Sequence, residues 1–276
     1  MAVQVMGLCR FSVPSLGAFQ SMPAEIAARR AALYDPARLR LRLTWFEHVL
    51  LPGILTQIDP DFTLVLLIGA DLPEPFQARL RALAAEAPQI KVVEAPPGEH
   101  RAVCAAAMRP LVDPGARIVA QFRLDDDDAI CRSFVQRIRR DLAMLERMQG
   151  KHGAMVLDYA KGFVLRDEGD RVHVEPVLVQ GWAPGMVLAL PRALDRFVLD
   201  YPHHQVWKRM PTLSLVDQIM FVRGAHDGND STILRVDRGF RIAAAEIPRL
   251  LAERFAIDLD GFAAALAAAR QGGDGV

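Results

Sequence analysis

Four consecutive carboxylates, Asp125-Asp126-Asp127-Asp128, follow a largely apolar run from Ile118 to Leu124 that reads as a buried strand. Neighbouring carboxylates repel one another, and a helix cap needs only one of them, so a positive partner is expected here. Carboxylate oxygens are hard donors suited to Mg2+ or Mn2+, and Mg2+ in particular is usually held by one or two carboxylates together with substrate phosphates. The carboxyl end of a strand is also where open α/β sheets bind ligands. Alternate residues of an extended chain share a face, so Asp125 and Asp127 are expected to point together and Asp126 away. The alternative is a solvated acidic turn leading into the next helix. An EF-hand Ca2+ loop is excluded, because Ile130 stands at the sixth position, where that loop requires Gly.

Other residues of chemical interest are scattered along the chain. His226 lies in the polar, Gly-rich stretch Gly224 to Ser231. A neutral imidazole is a competent Mn2+ ligand, but a loop histidine equally makes hydrogen bonds within its own turn. His203 and His204 are a poor chelating pair, because adjacent residues of an extended chain face opposite ways. Asp217 precedes an amphipathic run, where an aspartate serves either as a general base or as a helix cap. Arg101 either reaches a phosphate or lines a solvated helix face. Arg123 can pair with the acidic run itself. Trp182 and Trp207 either stack on a sugar ring or fill core.

The elements that must position these groups show two regimes. Strands are expected at Val3–Leu8, Asp61–Gly69, Ile90–Glu94 and Ile118–Leu124, with helices at Arg38–Leu51 (interrupted by Pro52-Gly53), Pro75–Glu86, Glu99–Leu111 and Ser133–Met148. Strand-helix alternation of this kind predicts a mostly parallel sheet with right-handed crossovers. Residues 21 to 36 read as a mobile insert or a short helix. Past residue 150 the runs Ala154–Tyr159, Gly162–Arg166, Val172–Val179 and Gly185–Leu190 are short and separated by polar turns, which predicts antiparallel pairs. Leu213 to Arg223 is mixed in character. An Ala-rich helix, Asp260–Arg270, precedes a frayed tail from Gln271.

The 276 residues are enough for one large α/β domain or two small ones. With 33 basic and 33 acidic side chains there is no electrostatic case for nucleic acid or an anionic membrane. Three widely spaced cysteines argue against a disulfide framework or a zinc site and fit a reducing cytosol. No signal peptide is evident, and no apolar run is long enough for a transmembrane segment, so a soluble, cytoplasmic protein is expected.

Arg123-Leu124-Asp125-Asp126-Asp127-Asp128-Ala129-Ile130 resembles the Asp-x-Asp motif of GT-A-fold nucleotide-sugar glycosyltransferases. Together with Gly7-Leu8-Cys9-Arg10-Phe11-Ser12, Asp217-Gln218 and His226-Asp227-Gly228-Asn229-Asp230-Ser231, it is similar to the bacterial rhamnosyltransferase family. The resemblance covers roughly residues 3 to 235. It implies an α/β fold with a GT-A-like mixed sheet in a single domain: a Rossmann-like βα half, residues 1–150, for the nucleotide sugar, and a smaller antiparallel acceptor half, 151–276. It also implies transfer of a sugar from a nucleoside-diphosphate donor to a saccharide or lipid-linked acceptor, with Mn2+ or Mg2+ as cofactor.

Under this resemblance Asp127 would bind the metal that bridges the donor diphosphate, and Asp125 would face the ribose or share the metal. Asp128 would approach the sugar, and Arg10 would contact the nucleotide base or phosphates. His226 would complete the metal shell, and Asp217 would take the proton from the acceptor hydroxyl. Two readings compete. A haloacid-dehalogenase-like phosphohydrolase also uses paired aspartates after a strand, but near the N-terminus rather than at residue 125. The other is a non-enzymatic metal- or carbohydrate-binding module.

Overall fold

The computed structural model describes residues 2–17, 23, 25–148, 153–227 and 240–272. Residues 228–231 of the polar stretch after β11 and residues 273–276 of the tail lie outside that set. The first half runs β1 (Val3–Phe11), α1 (Ile26–Leu33), α2 (Pro36–Trp45), α3 (Leu51–Leu55), β2 (Thr63–Gly69), α4 (Glu74–Ala85), β3 (Ile90–Ala95), α5 (His100–Met108) and β4 (Ile118–Asp125). A two-residue strand β5 (Ala129–Ile130) and α6 (Phe134–Met144) follow the acidic turn. The second half has β6 (Met155–Tyr159), β7 (Lys161–Asp167), β8 (Val172–Leu178), β9 (Met186–Pro191), β10 (Thr212–Leu215) and β11 (Phe221–Ala225). Helices α7 (Ile247–Phe255) and α8 (Leu259–Arg270) end the described chain.

The strands form two sheets. The larger has seven strands in the order β10-β6-β9-β4-β1-β2-β3, and the smaller has four in the order β5-β11-β7-β8. The parallel core β3-β2-β1-β4 is the one the strand-helix alternation predicts. The second half departs from the expectation of antiparallel pairs throughout. β9 does run antiparallel to both β4 and β6, but β10 returns parallel to β6, and β11 parallel to β7. β10 is short and half-exposed, so it lacks the uninterrupted apolar run that marks a buried parallel strand. Mixed composition hid both return strands within Leu213 to Arg223.

Side-chain alternation along β4 divides the core. Ala120, Phe122 and Leu124 enter a large cluster with Leu39 and Leu43 of α2, Phe134 of α6, Leu251 of α7 and Phe262 of α8. Val119 enters a second cluster with Met6, Leu8 and Met186, roofed by Cys104 and Met108 of α5. The sheet is therefore covered on both faces, as parallel sheets require. At the carboxyl end of β4 the apolar supply stops, and Arg123 and Asp125 continue the second face.

Pro52-Gly53 does not end the helix begun at Pro36. Residues Phe46–Leu50 widen into a π-helical turn and α3 carries on beyond them. Pro52 has no N–H to give to the preceding turn, which accounts for the irregularity. Gly53 is required by proximity, because a Cβ there would stand 2.5 Å from the Ile130 carbonyl oxygen.

No helix among the described residues is long and apolar enough to cross a membrane. The large cluster joins Val5 to Leu266, so residues on both sides of position 150 share one core. Urea unfolding followed by tryptophan fluorescence and by far-UV circular dichroism should give one coincident transition. Two separated transitions would show that the halves fold independently.

Candidate functional site

The acidic run straddles the edge of the large sheet. β4 ends at Asp125, and residues 126–128 form a turn closed by the Asp128 N–H donating to the Asp125 carbonyl at 3.0 Å. A turn breaks the strand's alternation, so the expected grouping of Asp125 with Asp127 does not hold. Asp125 stays on the second face with its side chain 49% exposed, whereas Asp126 and Asp127 are buried towards α2.

What buries them is Arg42 of α2. Its Nε donates to Asp126 Oδ2 at 3.0 Å, its Nη2 also contacts the Asp126 carboxylate, and its Nη1 reaches Asp127 Oδ2 at 3.3 Å. Nη1 lies 2.6 Å from His226 Nε2 as well. A guanidinium has only N–H groups to offer, so Nε2 of His226 is the acceptor in that contact. His226 Nε2 then faces Asp127 Oδ2 across 3.2 Å, and the Trp45 ring flanks the imidazole at 5.3 Å between centroids. The motif and the distant histidine thus meet at one corner, because β11 delivers His226 beside the turn. Gly224 makes that approach possible: a Cβ there would lie 2.6 Å from both Cβ and the carbonyl oxygen of Asp127.

Asp128 turns inward. Its carboxylate accepts from the Asp125 N–H at 3.1 Å and the Gly224 N–H at 3.4 Å, clipping the turn to β11. Burial, then the charges of Asp127 and Asp125, push its carboxyl well above the usual range. It is 3% exposed, so bracing of the turn replaces the expected approach to a sugar.

On the open side Asp125 is met by cations. Arg10, opposite it on β1, pairs with its Oδ1. Burial works against the Asp125 charge, but Arg10 and Arg123 outweigh it, and the carboxyl ends below its ordinary value. Arg10 is steered in turn by His100, whose Nε2 accepts from Arg10 Nη1 at 3.0 Å while Nδ1 meets Ser15 Oγ at 3.0 Å. Burial first, and then Arg10, push His100 down to about 3, so it stays neutral. Arg123 and Arg38 are lowered to about 10, mainly by burial, and remain charged. Arg223 of β11 stacks on Trp182 with its guanidinium 4.6 Å from the ring centre, and its charge is felt at Asp128.

Two expected residues lie elsewhere. Arg101 is exposed on α5, and the preceding residue, His100, faces the site instead. Asp217 forms a bidentate pair with Arg137 of α6, at 2.8 and 3.1 Å, and that bond holds its carboxyl below the usual range. It sits four residues before β11 begins, at the end opposite Gly224 and the acidic turn, and the chain runs from it into that strand with no helix to be capped, so bracing of Arg137 is what its geometry provides. Sequence reasoning missed Arg42 and His100. Neither carries a local signal, since each matters only through a partner far along the chain.

The fit to a divalent cation rests on one pair of atoms. Two adjacent ligands on an octahedral Mg2+ or Mn2+ stand about 3 Å apart, close to the separation of Asp127 Oδ2 and His226 Nε2. Among the described residues no group of three or more His, Cys, Asp or Glu is arranged to hold a metal. These two atoms would supply only part of a shell, with Nε2 available once Arg42 Nη1 releases it, and phosphate oxygens are the usual source of the rest.

Residues 4–238 match the family described as "Putative rhamnosyl transferase". No curated protein matches the chain. Among solved structures the chain is similar to S. aureus TarS 1–349 in complex with UDP-GlcNAc, at 11% identity and TM-score 0.45, over 92% of this chain and 71% of that one. It is also similar to the mannosyltransferase PcManGT from Pyrobaculum calidifontis in complex with GDP-Man and Mn2+, at 13% identity and TM-score 0.43, over 80% and 56%. The chain spans 60%, 37% and 61% of the length of three other TarS structures.

Removing Arg42 strands two buried carboxylates. Arg42→Leu should cost about 3–5 kcal/mol in urea unfolding, the usual loss when one partner of a buried ion pair is deleted. Adding Asp126→Asn to that variant should recover part of the loss, and strictly additive effects would mean that the pair is not coupled.

Proposed function

This chain belongs to the rhamnosyl transferase family matched over residues 4–238, a family of glycosyltransferases, and on that premise we propose that the edge of β4 is its nucleotide-sugar site. The observation that carries the reading is the placement of Arg10 and Arg123 around the half-exposed Asp125, beside the facing pair Asp127 Oδ2 and His226 Nε2. A departing nucleoside diphosphate accumulates negative charge, and fixed cationic donors at that position stabilise it more in the transition state than in the ground state. Arg10 is well suited, because His100 and Asp125 hold it from two sides before any ligand arrives.

In this reading the donor is a nucleoside-diphosphate sugar, with rhamnose the candidate sugar from the family's description, and the acceptor is a hydroxyl on a saccharide or lipid-linked saccharide. Asp127 and His226 would hold Mn2+ or Mg2+, which supplies Lewis-acid stabilisation of the diphosphate. Arg42 balances the carboxylates of Asp126 and Asp127, and a metal on His226 Nε2 would take over the lone pair that Arg42 Nη1 engages. Asp125 fixes Arg10 and, on the face away from Asp127, would meet the ribose and not the metal. The acceptor oxygen attacks the anomeric carbon, the bond from that carbon to the diphosphate oxygen breaks, and the hydroxyl proton leaves to a base.

Calorimetry with UDP, GDP and dTDP, each with Mn2+ and with EDTA, tests the site. One of the three should bind at least tenfold more tightly with Mn2+. Asp127→Asn and His226→Ala should each reduce that Mn2+ enhancement to less than about threefold, in line with the effects of disturbing a metal shell. An unchanged enhancement in Asp127→Asn would overturn the metal assignment, and absence of nucleotide binding under every condition would overturn the donor site.

A further inference from the structure

A cavity of about 470 Å3 opens two strands away from Asp125, lined among others by Asp158, Gln180, Met186, His203, Trp207 and Ser214. Its position follows from register. Phe122 of β4 pairs with Val187 of β9, and the next residue down β9, Met186, pairs with Asp158 of β6, which pairs with Ser214 of β10. By side-chain alternation Met186, Asp158 and Ser214 share the face that carries Arg123 and Asp125. Strands lie roughly 4.8 Å apart, so β4 and β6 are separated by ~10 Å along one continuous edge. The field of Arg123 reaches His203, which confirms the adjacency from the other side.

The lining is amphipathic in a specific way. Of the three tryptophans, Trp45 is buried and Trp182 carries the Arg223 guanidinium, whereas Trp207 is 63% exposed, with the Lys208 ammonium 5.5 Å from its ring centre. Beside it runs a chain of fixed polar groups. Gln180 Nε2 donates to Ser214 Oγ at 2.9 Å, and Ser214 Oγ donates to Asp158 Oδ2 at 2.9 Å. The Gly181 N–H donates to Asp158 Oδ1 at 3.0 Å, and His203 Nδ1 donates to the Gly181 carbonyl at 2.7 Å. Because Nδ1 carries the proton, Nε2 of neutral His203 is an acceptor. Burial, then Arg123, lower His203 to about 4, so it is neutral at physiological pH.

Resting on the donor-site reading above, we propose that this cavity is the acceptor subsite and that it takes a neutral saccharide, stacked on Trp207 and hydrogen-bonded along the Gln180–Ser214–Asp158 row. A sugar ring offers an apolar C–H face for an indole and a rim of hydroxyls for fixed polar groups. A purely apolar ligand would strip water from the carboxylate and imidazole without replacing its hydrogen bonds. An anionic ligand would add charge beside the Asp158 carboxyl, whose own ionisation burial already disfavours. The volume is in the range of small-molecule sites.

The test uses the full chain without nucleotide, with saturation-transfer NMR and tryptophan fluorescence. The probes are the methyl glycosides of L-rhamnose, D-mannose, D-glucose and N-acetyl-D-glucosamine. At least one should bind the parent protein and change its fluorescence. Trp207→Ala should weaken that binding at least tenfold, whereas Trp207→Phe should keep it within about threefold and lose the fluorescence change. Calorimetric nucleotide binding should stay within twofold in both variants. Failure of all four probes, or equal binding by the parent and Trp207→Ala, overturns the acceptor assignment. Loss of nucleotide binding in the parent protein fails the donor reading instead, and the saccharide measurement stands apart from it.

Discussion

Everything at the edge of β4 depends on one guanidinium. Asp126 and Asp127 are almost completely buried, and an uncompensated carboxylate in a protein interior costs several kcal/mol even after relaxation. Arg42 meets both, and its planar fork can serve two acceptors at once where an ammonium would act as a single point charge. The charge comes from α2, so α2 must lie against the first face of the sheet. Leu39 and Leu43 hold it there within the large cluster, and Trp45, on the same helix, packs edge-on against Phe262 of α8 at 4.6 Å. Helix α8 thus supports the acidic turn through Trp45 and Arg42 of α2.

That arrangement divides four chemically identical side chains into different roles. Asp126 and Asp127 are neutralised from the first face by Arg42, Asp125 is engaged from the second face by Arg10, and Asp128 is returned to the backbone of β11. Their separation reduces the mutual repulsion that would follow if all four faced one crevice. It also leaves Asp125 as the one carboxylate of the run with substantial exposure, in a setting where the surrounding side chains are mostly cationic.

Much of this was legible from sequence, and the boundary falls at a definite physical level. The parallel core was readable because β2 and β4 are long apolar runs buried on both faces, and such runs look alike in any context. The acidic turn was readable because four adjacent carboxylates have few other uses. What failed was anything fixed by which way an element faces. Arg101 and His100 are neighbours on α5, and only the packing of Cys104 and Met108 against the second face turns His100 inward. Asp217 read as a general base or a helix cap, and Arg137, distant in the chain, gives it a bracing role that neither reading contained. Alternation predicted Asp127 beside Asp125, but it applies only while the chain remains extended, and the strand ends at Asp125.

The return of β11 is where local and distant information meet. A parallel strand beside β7 requires a crossover, so the partner of the acidic turn had to come from well downstream. β11 also pairs antiparallel with β5, the two residues that immediately follow the turn. Those two pairings hold β11 from both sides, and Phe221 and Val222 are fully buried between them. With its start fixed, the strand must carry Gly224 past Asp127 and deliver His226 one residue beyond the strand end. A side chain at position 224 would push β11 off the turn and separate His226 from Asp127 at the same time. The backbone approach at Gly224 therefore sets the 3.2 Å spacing of the two candidate ligands, and the imidazole's own contacts with Arg42 and Trp45 only orient it.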